Sequence, residues 1–206
     1  MNYQLRIVNN SQQAGSFVIF QQQPNTQSLA WLTKYAYPQT NVTFNWTLDY
    51  DFVWSETGVL TPGVAVEVGQ ITAATPEQNQ ITLSYDLQNH AFFFQNQTQA
   101  GEPGAFNVLA DSSVPAGAAS VGIGMSGAAT FLVQAGPNMH YTFTPHPDYW
   151  LVFSNTMQQG EVIVTESLSP LQINFPPNVN SMTVTLNPDQ SWTVTPNFML
   201  EAVEEA

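Results

Sequence analysis

Apolar and polar residues alternate along most of this chain, and the longest such run fixes the first expectation about its fold. Between Val42 and Trp54 the even positions are Val42, Phe44, Trp46, Leu48, Tyr50, Phe52 and Trp54, while Thr43, Asn45, Thr47, Asp49 and Asp51 occupy odd ones. Successive side chains of a strand point to opposite faces, so the spacing predicts one strand with an aromatic side and a polar side. At roughly 3.3 Å per residue it would span about 40 Å, well beyond the usual ~5–6 residues. Ile81, Leu83, Tyr85 and Leu87 repeat the pattern, as do Met182, Val184 and Leu186. After the latter, Asn187-Pro188-Asp189-Gln190 supplies a turn into Trp192 and Val194, which predicts a hairpin.

Further strands are predicted near 3–9, 16–23, 29–37, 64–72, 79–87, 91–95, 105–110, 119–126, 129–135, 139–145, 149–154, 161–166 and 171–175, separated by Gly, Pro and Asn clusters. Helical periodicity is scarce. The expected architecture is a single all-β domain over residues 1–196, an antiparallel two-sheet β-sandwich, followed by an acidic tail at 197–206.

Charge changes what such a domain can meet. The 206 residues include only two basic side chains, Arg6 and Lys34, against fifteen Asp and Glu, for a formal charge of −13. Charged residues make up 8%, where about 25% is usual. The chain is therefore anionic for want of Lys and Arg, and Gln, Asn, Thr and Ser must supply its polar surface. Nucleic acid is excluded as a partner, because phosphate contacts rest on Lys and Arg. Anionic lipid loses the same attraction. A neutral partner is favoured, such as a neutral glycan. Missing lysines also leave sheet edges without a common guard, which points to a homo-oligomer or a filament.

The chain has no cysteine, so disulfides and thiolate chemistry are absent. Its first residues lack a basic segment followed by an apolar one, and no run reaches the ~18 apolar residues of a spanning helix. The expectation is a soluble cytoplasmic protein, with signal-independent export left open.

Candidate chemistry is sparse. His140 and His146 share parity, but a straight strand would hold them about 20 Å apart, too far for one metal ion unless Pro145 bends the chain or His90 joins. No metal or cofactor is expected. Asp49 and Asp51 share a strand face, roughly 7 Å apart, with Glu56 close behind; such spacing suits glycosidase carboxylates and also any solvated strand. Neither a nucleophile elbow, a phosphate-binding glycine loop nor a zinc-protease motif occurs, so a non-catalytic protein is expected.

Aromatic side chains offer the better lead. Trp31, Tyr35, Tyr37, Tyr149 and Trp150, together with Tyr141, would suit an aromatic platform for a glycan, with Asn, Gln and Thr contacting its hydroxyls, and Asp49, Asp51 and Glu56 are further candidate ligand-binding residues. The same rings would equally fill a sandwich core. Residues 116–136, rich in small side chains with Val121, Ile123 and Met125 alternating, fold into two arms of the ~9–11 residues that cross a membrane as strands. A pore-forming toxin hairpin and a packed internal hairpin both fit.

Five strings, read together, resemble one family. They are Ser16-Phe-Val-Ile-Phe-Gln-Gln, Ser28-Leu-Ala-Trp-Leu-Thr-Lys-Tyr-Ala-Tyr-Pro, Asp49-Tyr-Asp-Phe-Val-Trp-Ser-Glu-Thr-Gly, Val121-Gly-Ile-Gly-Met-Ser-Gly and Thr144-Pro-His-Pro-Asp-Tyr-Trp. In order and spacing they are similar to the RhiA family of bacterial proteins, named for a rhizosphere-expressed product of rhizobia, over about residues 3–195. The resemblance implies quorum-regulated expression near plant roots. It carries over no enzymatic activity and no catalytic residue.

Overall fold

The computed structural model describes residues 2–100, 102–146, 148–164 and 169–197, which form seventeen strands and no helix. In chain order these are β1 (Asn2–Asn9), β2 (Gly15–Gln21), β3 (Gln27–Ser28), β4 (Leu32–Ala36), β5 (Thr40–Thr47), β6 (Tyr50–Ser55), β7 (Gln70–Ala74), β8 (Gln80–Asp86) and β9 (Ala91–Thr98). There follow β10 (Phe106–Ala110), β11 (Ser120–Met125), β12 (Ala128–Gln134), β13 (Met139–Phe143), β14 (Tyr149–Ser154), β15 (Leu171–Ile173), β16 (Ser181–Leu186) and β17 (Trp192–Pro196).

The all-β class holds, but the two-sheet antiparallel sandwich does not. Four sheets form, with strand orders β17-β16-β1-β5, β15-β14-β2-β4, β3-β12-β11-β6-β7 and β13-β10-β8-β9. Two pairings are parallel: β1 with β16, from Gln4 opposite Ser181 to Asn9 opposite Leu186, and β8 with β10. Alternation along a strand reports which face is buried and carries nothing about the direction of the neighbour, so parallel pairing was invisible in the sequence.

The sheets share two main cores. Leu5, Ile7, Phe17, Ile19, Phe44 and Val184 join the first two sheets, whereas Phe52, Ile81, Leu83, Val108, Val121 and Ile123 join the other two. Strands β6 to β13, joined by β3 at one sheet edge, thus build a second layered unit, all but β3 lying between β5 and β14 of the first in sequence. Each fully buried large apolar side chain contributes roughly 1.5–3 kcal/mol relative to exposure.

The expected continuous strand over 42–54 is two strands. β5 ends at Thr47, opposite Asn2, and β6 begins at Tyr50, opposite Met125 and Ala74, so the chain leaves one sheet and enters another across Leu48 and Asp49. Parity nonetheless survives the corner: Phe44 and Trp46 face the first core, Phe52 and Trp54 the second. Val53, on the opposite parity, is also buried, because the outer face of this sheet is covered by Leu29, Val66 and Val162.

Smaller departures have similar causes. Of the strand expected at 64–72 only the end falls in β7, and Ala65 makes a single bridge to Glu161. That bridge and the one from Leu29 to Val162 are what remain of the strand expected at 161–166; residues 165–168 lie outside those described. So do residues 198–206 of the expected tail, while Asn197 is tied to the sheet by its N–H donating to Ser181 O at 2.9 Å.

The hairpin in 116–136 occupies the middle of a sheet. β11 lies between β6 and β12, and Val121, Ile123 and Met125 are fully buried against other protein, not presented to lipid. A Cβ on Gly122 would come within 2.0 Å of Phe131 O, so only glycine lets the two arms approach this closely. Among the described residues no helix is long and apolar enough to cross a membrane.

Candidate functional site

The corner between β5 and β6 is held from outside by the tip of the β11–β12 hairpin. Ser126 and Gly127 have φ of 52° and 74°, the pair of positive values a two-residue type I′ turn requires. Ser126 Oγ accepts from Thr47 N–H at 2.8 Å and donates to Thr47 O at 3.0 Å, while Ser126 N–H donates to Asp49 O at 3.0 Å. Backbone groups that the corner removes from both ladders are thereby satisfied.

Beside this corner opens a cleft of about 480 Å³. Leu48, Tyr50, Phe106 and Pro145 give it apolar walls, and Tyr50 lies 5.4 Å from Phe106 between ring centroids. Asp49 and Asp51 line it too. Strand parity would set Tyr50 on the face opposite both carboxylates; the change of sheet brings all three to one opening. Gly104, with φ of 81°, also lines the cleft, and a Cβ there would meet nothing within 4 Å, so its missing side chain adds to the open volume.

The two carboxylates differ. Asp49 is exposed, and its Oδ2 accepts from the Thr47 hydroxyl. Asp51 is partly buried and accepts from Gly127 N–H at 3.1 Å through Oδ2. Burial pushes its pKa up, and the neighbouring Asp49 adds to this, while the Gly127 N–H works the other way. No lysine, arginine or histidine is among the residues that line this cleft.

The remaining residues expected at a site are dispersed. Trp31 is 0% exposed, stacks on Tyr149 with centroids 6.2 Å apart, and donates its indole N–H to Met125 O at 2.8 Å. Tyr149 is 2% exposed. Both belong to the first core and offer no platform. Burial pushes the Tyr149 phenol far up; the Trp46 indole lies near enough to favour ionisation but falls short of hydrogen-bond geometry. Tyr149 Oη and Trp46 Nε1 are thus buried without partners among the described residues.

Trp150 packs partly against a third cluster around Val18, Phe20 and Val152. Tyr35 and Tyr37 are exposed and meet edge to face at 5.3 Å, on β4 and just after it, and neither they nor the exposed Glu56 line the cleft. Tyr141 is partly buried against the second core, and its hydroxyl accepts from Gly136 N–H at 2.9 Å. His140 Nε2 meets Asn107 Oδ1 at 3.0 Å, His90 Nδ1 meets the Tyr85 hydroxyl at 3.3 Å, and among the described residues no three His, Asp or Glu side chains converge. Tyr50, Phe106 and Pro145 were not singled out as site residues in the sequence. The one local signal was an aromatic residue set between two aspartates.

Comparison with known proteins gives a consistent result across nearly the whole chain. The RhiA family profile matches residues 1–197. Protein RhiA of Rhizobium leguminosarum bv. viciae is 33% identical over 202 residues, covering 94% of this chain and 86% of that protein. No solved structure matches. With the profile spanning both layered units and the corner between them, the chain belongs to the RhiA family.

Proposed function

We propose that this protein is a non-catalytic binding protein whose ligand is a small neutral saccharide held in the cleft at the β5–β6 corner. The observation that carries the reading is the pairing of two carboxylates with an aromatic wall, Tyr50 and Phe106, in a volume of about 480 Å³. That volume is within the ~300–1,000 Å³ range of small-molecule sites. Ionised carboxylates only accept hydrogen bonds, so they select ligands rich in hydroxyl donors. Aromatic faces cover the C–H faces of a sugar ring. Anionic ligands are disfavoured by a lining without a cation.

Binding is favoured over hydrolysis because the carboxylates of the cleft already have partners. Asp49 is engaged by Thr47 and Asp51 by Gly127, and Glu56, the third carboxylate near them in sequence, does not line the cleft.

Calorimetric titration of the full chain with a panel of neutral mono- and oligosaccharides tests this. Binding of at least one sugar, unchanged after prolonged incubation and weakened on the order of tenfold or more by Asp51→Asn, is expected. A panel without a single binder, or binding indifferent to both Asp51→Asn and Phe106→Leu, would remove the proposal.

A further inference from the structure

Strand β17 ends the first sheet, and among the described residues its backbone pairs only with β16. Its residues are Trp192-Thr193-Val194-Thr195-Pro196, three of the five exposed and none charged. The other sheet edges differ. β4 and β5 lie side by side, with Lys34 Nζ donating to Thr43 O at 2.6 Å. β7 and β9 are joined by Gln97 Nε2 donating to Ala73 O at 2.6 Å and by Phe94 N–H donating to Gln70 Oε1 at 3.2 Å. β3 and β15 have two and three residues, and Pro137 and Pro145 bracket β13. Short edges and prolines are devices that block pairing; β17 holds one proline of its own, Pro196, at its last position, and keeps an N–H on each residue from Trp192 to Thr195.

We propose that β17 is a dimer interface, pairing antiparallel with β17 of a second copy of this chain about a two-fold axis through Val194. A two-fold contact needs a surface complementary to itself, and Thr-Val-Thr reads the same from both ends. Val194 then faces Val194 of the second copy, and Thr193 faces Thr195, pairs that suit neighbouring strands. With a charge of −13 on each copy, association is opposed almost everywhere, and this strand brings no like charges opposite one another. The contact joins two four-stranded sheets into one of eight. It also closes on itself, so it yields a dimer and no filament.

The absence of native cysteine makes the test direct. In Val194→Cys the only thiols of the dimer would sit at the axis, with Cα atoms about 4.5–5.5 Å apart, inside the ~4.4–6.8 Å range of a disulfide. Mild oxidation should give a covalent dimer, whereas Leu87→Cys, 71% exposed at the β8–β9 turn, should stay largely monomeric. Val194→Lys should raise the dimer dissociation constant by on the order of tenfold or more by opposing two ammonium groups, with circular dichroism unchanged because Val194 is already 38% exposed. Sedimentation of the full chain should show the dimer tightening as salt screens the mutual repulsion. A monomer at every concentration and salt level, or a dimer that neither cross-links through residue 194 nor responds to Val194→Lys, overturns the proposal.

Discussion

Two aromatic clusters lie on either side of the β5–β6 corner, one closed and one open. Trp31, Trp46, Tyr149, Tyr3 and Phe175 interlock with centroid separations between 4.8 and 6.2 Å, and Trp31, Trp46 and Tyr149 are almost wholly removed from water. Tyr50 and Phe106 pack at a similar distance, yet they face a cleft that also holds two carboxylates. Ring chemistry is therefore no guide to role. What separates the clusters is how far the rings are covered: Trp31, Trp46 and Tyr149 are enclosed, whereas of the second pair Phe106 is 7% exposed and Tyr50 is half-buried beside the cleft, where the chain passes from one sheet to another.

The sharpest way to break the contrast is to truncate a ring of the closed cluster. Trp31→Ala should cost ~3–5 kcal/mol, the usual loss for emptying a large aromatic site in a core, and it also orphans Met125 O. Chemical denaturation would read this directly. A loss below ~1 kcal/mol would place Trp31 outside the core in energetic terms.

A smaller effect belongs to the open cluster. The pKa of Asp51 is raised by burial above the ordinary 3.8, with Asp49 adding to it. The folded state then holds this proton more tightly than the unfolded one, so its stabilising contribution is present below about 3.8 and is lost as pH rises through the folded-state value. Asp51→Asn removes that slope. At neutral pH it should leave stability unchanged or higher, by less than ~1 kcal/mol because solvent screens a partly exposed carboxylate. Together with the loss of sugar binding this would mark Asp51 as a group kept for its ligand. Thermal melts from pH 3 to 7, compared between the two proteins, provide the check.

The smallest effect sharpens the comparison from outside. Tyr35→Ser with Tyr37→Ser alters rings that are 52% and 65% exposed, and should change stability by no more than ~0.5 kcal/mol for each site. Sugar binding should be unaffected, since neither ring lines the cleft. Weaker binding in that double variant would move the site from the corner to β4.

Much of the strand content was legible from side-chain alternation alone, because burial on one face imposes a period of two wherever a strand lies on a core. The β16–β17 hairpin shows it, with Met182, Val184 and Leu186 buried and the Asn187–Gln190 turn where expected. Gly122, in the small-residue stretch 116–136, supplies the close approach that a packed internal hairpin needs. Strand partners and directions were not legible: β1 pairs with β16 from the far end of the chain, a contact for which no local residue carries a signal. The sequence also kept its aromatic parity through Leu48 and Asp49 although the strand itself stopped there, since both halves still faced a core, merely different ones. Alternation determined a β-rich chain, and composition a cation-poor one with no thiol chemistry. Only the tertiary structure decided that Asp49, Tyr50 and Asp51 share one opening, because their common exposure arises from a change of sheet, and a change of sheet depends on strands distant in sequence.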